Sequence, residues 1–241
     1  MVSRLSRPAE HQTSVRRPWT RDETALALRM AQDTPLDLFI HFALIFGLRR
    51  GEILGLHWDD FDFHNAIIHI RRTLKEERSF NSDGTASVQI AHSLPKTKSS
   101  QRKLFLTPIL LQAIQRHRSF IQNLQSQAGD RWVDTPYVFQ SSVGTPVSPS
   151  NMSKAFKKFV QNKGLREIRV HDMRHTAAVL GLEAGVRLEA VSQGLGHSRI
   201  DITKSVYAPY VQPLMEEFTQ GISRYLAPSE DLELFDKELA K

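Results

Sequence analysis

The sequence predicts a mainly α fold with a small antiparallel β-sheet (α+β), and three observations carry that expectation. Stretches with helical caps and apolar helical spacing cover far more of the 241 residues than the strand candidates do. The strand candidates, led by the β-branched run at 66–72, are short and fall between residues 66 and 106. A hydrophobic content of 40% over this length is ample for a packed core, and with no cysteines that core forms without covalent staples.

Residues 1–18 show no periodicity and carry Arg4, Arg7, Arg16 and Arg17 among prolines, which reads as an extended basic arm or interdomain linker. Thr20 followed by Glu23 is a capping box for a helix through about Met30, and Thr34, Pro35 and Asp37 open a second that runs apolar to Gly47. A short helix at about 50–56 follows, ended by Trp58 and an acidic cluster. Strands are expected at 66–72, 87–91 and 103–106, with Asp83-Gly84 as the turn between the first two and residues 96–100 in an exposed basic loop before the third. Helices resume at 108–125, 150–162, 171–184 and 188–193, with Gly185 and Gly194 as stops. Beyond Ser229, Leu232, Phe235 and Leu239 share one helical face; packing on its own domain and docking on a neighbouring protomer are equally open. The expected organisation is a linker at 1–18, one catalytic domain at 19–226 and a tail helix at 227–241.

Lys plus Arg exceed Asp plus Glu by 32 to 26, a formal charge of +6 that favours polyanionic partners. Charge alone does not separate a nucleic-acid binder from other basic proteins. The longest apolar stretch, 39–48, is interrupted by His41 and is far short of a membrane span, and no apolar segment follows the basic start. A soluble, cytoplasmic protein with no membrane partner is expected. The lack of cysteine excludes disulfides and thiolate metal sites and fits a reducing compartment.

Four short motifs carry the chemistry. In His171-Asp-Met-Arg174, spacing by three puts imidazole and guanidinium on one helical face, within reach of one small anion near the helix's positive end. Gly47-Leu-Arg49-Arg50-Gly-Glu52 sets arginines just after a helix break, and Leu195-Gly-His197 and Tyr207 follow toward the carboxyl end. Singly, each has an ordinary explanation: a solvated helix face, an exposed ion pair, a plain turn, a half-buried aromatic with a wet hydroxyl. His171 and His175 are spaced for zinc but lack an intervening glutamate and a third ligand, so no metal is expected.

Their order is what informs: Gly-Leu-Arg with Gly-Glu just after, a lysine in a strand-connecting loop, His-x-x-Arg, Leu-Gly-His, and a tyrosine ten residues on. On these residues the chain resembles the tyrosine recombinase family, the phage integrase type in particular, over roughly residues 20 to 222. The resemblance implies a catalytic set of Arg49, Lys96, His171, Arg174, His197 and Tyr207, no cofactor, and double-stranded DNA recombination sites as substrate. Arg49 and Arg174 would grip the non-bridging oxygens of the scissile phosphate while staying charged at any relevant pH, so no metal is needed. Tyr207, whose ordinary pKa is about 10, would attack with His171 as base, leaving a 3′-phosphotyrosyl link and a free 5′-hydroxyl. That link conserves the bond's energy, so a second strand's 5′-hydroxyl can reverse the step through a Holliday junction.

Lys96, with Lys98 as the alternative, would protonate the leaving 5′-oxygen, and His197 would hydrogen-bond the phosphate or place Tyr207. Glu52 would orient the surroundings of Arg49. Tyr210 competes for the nucleophile's role but lies three residues past the family offset and after a proline. Arg50, Lys98, Arg102, Lys103, Lys154 and Lys157 are the expected DNA contacts, Arg50 on a different face of its helix from Arg49, and His175 is expected to be structural.

A homo-tetramer on DNA, monomeric when free, would serve integration or excision of a bacterial or phage-borne mobile element. Relatives place a helical domain ahead of the catalytic one, and residues 1–18 resemble the linker that would follow it. DNA binding by this chain alone is therefore expected to be weak, salt-dependent and poor in specificity. Two readings compete. A non-catalytic DNA-binding module fits the helix, turn and helix across 171–207 but leaves Arg49 and the loop lysine unexplained. A type IB topoisomerase shares the chemistry, but the short loops and integrase-like motifs argue against it.

Overall fold

The computed structural model describes residues 17–80, 86–93, 101–196 and 222. Helix α1 (Arg21–Ala31) opens on the expected capping box: Glu23 N–H donates to Thr20 Oγ1 and Thr20 N–H donates to the Glu23 carboxylate at 2.7 Å. Helix α2 (Asp37–Ile45) is apolar on nearly every side, the pattern of a core helix, and is buried from Asp37 to Leu44. It packs against α1, α4 (Pro108–Ala128) and α6 (Val170–Glu183). Its buried acid, Asp37, is matched by His41 at 2.9 Å and by a two-point contact from Arg116 of α4 at 2.6 and 3.2 Å.

The fold class is as expected, but the strands are arranged differently. Strands β1 (Phe61–Asp62), β2 (Ile67–Ile70) and β5 (Arg102–Phe105) form a three-stranded antiparallel sheet in the order β1-β2-β5, with Ile68 opposite Leu104 and Ile70 opposite Arg102. Strands β3 (Thr73–Phe80) and β4 (Ala86–Ser93) form a separate antiparallel pair running from Thr73 opposite Ser93 to Phe80 opposite Ala86. The strand expected at 66–72 thus ends at Ile70, and the one expected at 87–91 pairs with β3 rather than with β2. Sequence reading passed over β3 because Lys75, Glu76, Glu77 and Arg78 interrupt any apolar alternation. The Asp83-Gly84 turn and the lysine loop at 96–100 lie outside the described residues.

Helix α3 (Arg50–Leu54) lies backbone to backbone on β3: a Cβ on Gly51 would stand 2.6 Å from the Leu74 carbonyl oxygen, so only glycine permits this approach. Helix α5 (Pro149–Asn162) starts under a Ser148 cap, its Oγ accepting from Asn151 N–H at 3.1 Å. Helix α7 (Leu188–Leu195) runs through Gly194, the residue expected to stop it, and ends at Gly196, whose φ of +69° supplies the left-handed turn. Trp19, Phe39, Phe42, Ile68, Phe139 and Phe156 belong to the main core, while Val179, Leu182, Val191 and Leu195 form a second cluster joining α6 to α7. The tail beyond Ser229 lies outside the described residues. Among those described, no helix is long and apolar enough to cross a membrane.

Candidate active site

Arg49, His171 and Arg174 come together in one cleft of about 800 Å³, walled by the first turn of α3, by β3, by α5 and by the start of α6. Two of its walls are built the same way. Arg49 precedes α3, and Glu52 three residues on accepts both its backbone N–H at 3.0 Å and its Nη1–H at 2.9 Å. Arg169 precedes α6, and Asp172 accepts its backbone N–H at 2.8 Å and its Nη2–H at 2.9 Å. In each case the acid satisfies an orphan N–H of the helix start and holds the guanidinium at the rim.

Arg174 sits one turn into α6 from His171 and is only 4% exposed. Its Nη1 donates to the Gly47 carbonyl at 2.8 Å, which fixes the guanidinium against the segment leading to Arg49. His171 is exposed on the cleft side, with His175 edge-on to it at 5.3 Å between ring centres. Partial desolvation by its surroundings, then the charges of His175 and Arg174, hold the His171 pKa below the usual histidine value, with Asp172 opposing. The ring is therefore neutral near pH 7 and able to accept a proton. Burial would raise the Glu52 pKa, but the charge and hydrogen bonds of Arg102, followed by those of Arg49, outweigh it and keep the carboxylate ionised.

The other expected residues fall into three groups. Lys96, Lys98, His197, Tyr207 and the competing Tyr210 lie outside the described residues. Lys103, Lys154 and Lys157 are exposed, and Lys157 of α5 lines the cleft. Arg50 and Arg102 depart from expectation. Arg50 lines the same cleft as Arg49 instead of facing elsewhere, because its long side chain reaches across to α5, where its Nη1 donates to Ser153 Oγ at 2.6 Å. Arg102 was expected at the DNA surface, yet its side chain is 8% exposed and bound inward to Glu52.

Lys75 and Arg169 line the cleft but were not singled out from the sequence. Arg169 had a readable signal, since Arg169-x-x-Asp172 repeats the spacing of Arg49-x-x-Glu52. Lys75 had none, being one cation in a charged strand. Among the described residues, no group of three or more His, Asp or Glu side chains is placed to hold a metal ion.

The family model described as "Phage integrase family" matches residues 20–211. A tyrosine recombinase XerC-like protein of Caldanaerobacter subterraneus is 34% identical over 171 residues, covering 69% of this chain and 44% of that protein. The ICEBs1 integrase of Bacillus subtilis is 30% identical over 169 residues, covering 70% and 43% respectively. The chain thus spans less than half the length of either relative. Among solved structures, a Tn1549 transposon integrase in complex with a circular intermediate DNA superposes with a TM-score of 0.68 at 23% identity, over 87% of this chain and 68% of the other. A XerA recombinase superposes with a TM-score of 0.61 at 20% identity, over 91% and 67%. The family pattern begins at the Thr20 cap and continues through every described wall of the cleft, and the chain belongs to the phage integrase family.

Proposed function

We propose that this chain carries the catalytic domain of a tyrosine-type site-specific DNA recombinase, which breaks and rejoins strands through a 3′-phosphotyrosyl intermediate. The observation that carries this reading is the convergence of Arg49, His171 and Arg174 on one cleft from segments more than a hundred residues apart. Two guanidiniums and a neutral imidazole are what an in-line phosphoryl transfer needs: charge on the non-bridging oxygens is neutralised, and a base stands ready for the attacking hydroxyl. In the proposed step the Tyr207 oxygen bonds to phosphorus as its proton passes to His171. The bond from phosphorus to the 5′-oxygen breaks, and that oxygen takes a proton from Lys96. Arg174 and Arg49 hold the phosphate, and His197 steadies it or the tyrosine.

The relatives named as integrases, and the transposon integrase bound to circular intermediate DNA, support a role in integration or excision of a mobile element. Within this reading residues 19–226 are the catalytic domain and 1–18 a linker. Residues 227–241 are a tail that docks on its own domain or on a neighbouring protomer of a DNA-bound tetramer. Lys154, Lys157, Arg50 and Lys103 contact the DNA backbone in a bacterial or phage-infected cytoplasm.

Nicked suicide duplexes with randomised flanks, captured by covalent attachment, test the reading. Wild type is expected to form an adduct that Tyr207→Phe abolishes and Tyr210→Phe retains. No adduct from wild type, or the reverse dependence on the two tyrosines, would overturn it.

A further inference from the structure

Arg102 binds inward with its whole guanidinium face. Its Nη2 donates to Glu52 Oε2 at 3.0 Å, its Nη1 to Glu52 Oε1 at 3.4 Å, and its Nε to the Gly194 carbonyl at 2.8 Å. One planar fork therefore joins β5 to the first turn of α3 and the last turn of α7. Glu52 is at the same time the anchor of Arg49. A single carboxylate thus serves two arginines, with Arg102 on the inner side at 8% exposure and Arg49 on the outer side at 41%.

We propose that Arg102 is a positioning residue for Arg49: by occupying the inner side of the Glu52 carboxylate and tying it to the end of α7, it fixes where Arg49 presents its guanidinium to the cleft. This rests on the recombinase reading of that cleft. Without Arg102, Glu52 would be held in place by Arg49 alone, and both side chains would gain rotational freedom at the point where a phosphate must be gripped in register.

The test compares wild type with Arg102→Gln, Arg102→Lys and the double variant Glu52→Gln/Arg102→Gln. Three quantities are read: duplex affinity at several salt concentrations, single-turnover adduct formation at saturating protein, and 15N NMR of the Arg49 guanidinium. Affinity and salt slope are expected to be unchanged, while the adduct rate of Arg102→Gln falls by about 100-fold. Arg102→Lys recovers part of the rate, because an ammonium holds Glu52 or Gly194 but cannot fork to both. The Arg49 guanidinium signals, restrained in wild type, become those of a freely rotating group. The double variant leaves no buried charge unpaired, since only the exposed Arg49 guanidinium loses its carboxylate, and it melts cooperatively and still shows the rate loss.

A wild-type adduct rate in folded Arg102→Gln overturns the proposal. So does weaker binding with a salt slope lowered by about one and an unchanged saturated rate, which is the signature of a phosphate contact. If wild type forms no adduct on any duplex, the recombinase reading fails, and the NMR decides separately: Arg49 signals indifferent to Arg102→Gln overturn the positioning role.

Discussion

Arg174 and Gly47, 127 positions apart, are joined by a 2.8 Å hydrogen bond from the buried guanidinium to the glycine carbonyl. Gly47 holds a φ of +61°, and a Cβ there would collide with the Leu195 side chain and stand 3.3 Å from Ala177 Cβ. Gly47→Ala is expected to destabilise the protein by about 1–3 kcal/mol through strain and crowding together. A shift of the urea midpoint measures this. Adduct formation by the fraction still folded should also fall, because the strain is relieved by moving Arg174. An unchanged midpoint would mean that the left-handed turn tolerates a side chain.

Arg174→Lys keeps the charge and loses the fork. A lysine ammonium can reach Gly47 or a phosphate oxygen but does not hold both in one plane. Cleavage at saturating DNA is expected to drop by about 10²–10³-fold with little change in affinity. Single-turnover adduct formation beside equilibrium binding separates the two, and a loss confined to affinity would contradict the assignment.

The pH profile follows from His171, whose pKa is held below the usual value of 6.5 by desolvation and by neighbouring positive charge. A depressed histidine is still more than half neutral at pH 6.5 and takes up most of its proton at lower pH. The acid limb of the adduct rate should therefore have its midpoint below pH 6.5. His171→Gln should be slow and should lack that acid limb. If the limb persists in His171→Gln, the base lies elsewhere.

His117 gives a separate prediction about stability. It is 4% exposed, with Nε2 2.9 Å from the Val138 carbonyl, and desolvation lowers its pKa below 6.5 despite that bond. Below 6.5 the unfolded chain binds a proton that the folded one resists, so stability falls with falling pH until the folded ring also titrates. His171 and His175 shift in the same direction and add to the slope. Urea unfolding between pH 7.5 and pH 5 should show the decline, and His117→Gln should flatten part of it. An identical slope in that variant would remove His117 from the account.

Much of the architecture was legible because its signals are local. Thr20 and Glu23 announce α1 within four residues, and Thr107 with Pro108 opens α4 at the expected position. Strand β3 escaped notice because it is held by β4 rather than by an apolar face of its own. The convergence of Arg49, His171 and Arg174 was legible only as an ordered set of motifs, each weak by itself. Arg102 misled for a physical reason: next to Lys103 in a basic stretch it reads as a surface cation. The carboxylate that draws it inward lies 50 residues earlier, a separation no local pattern reports.

The chain's entry into the domain has a mechanical meaning. Arg166 donates to the carbonyls of Arg17 and Pro18 and to Glu23, while Trp19 donates its backbone N–H to Thr176 and its indole N–H to the Arg166 carbonyl. Thr176 lies two residues beyond Arg174 on α6, and its hydroxyl donates to the Asp172 carbonyl. Tension applied to the polypeptide ahead of Trp19 is therefore delivered to Arg166, just before α6, and through Trp19 to Thr176 on the helix that carries His171 and Arg174, as a tug on a rope reaches the post it is tied to.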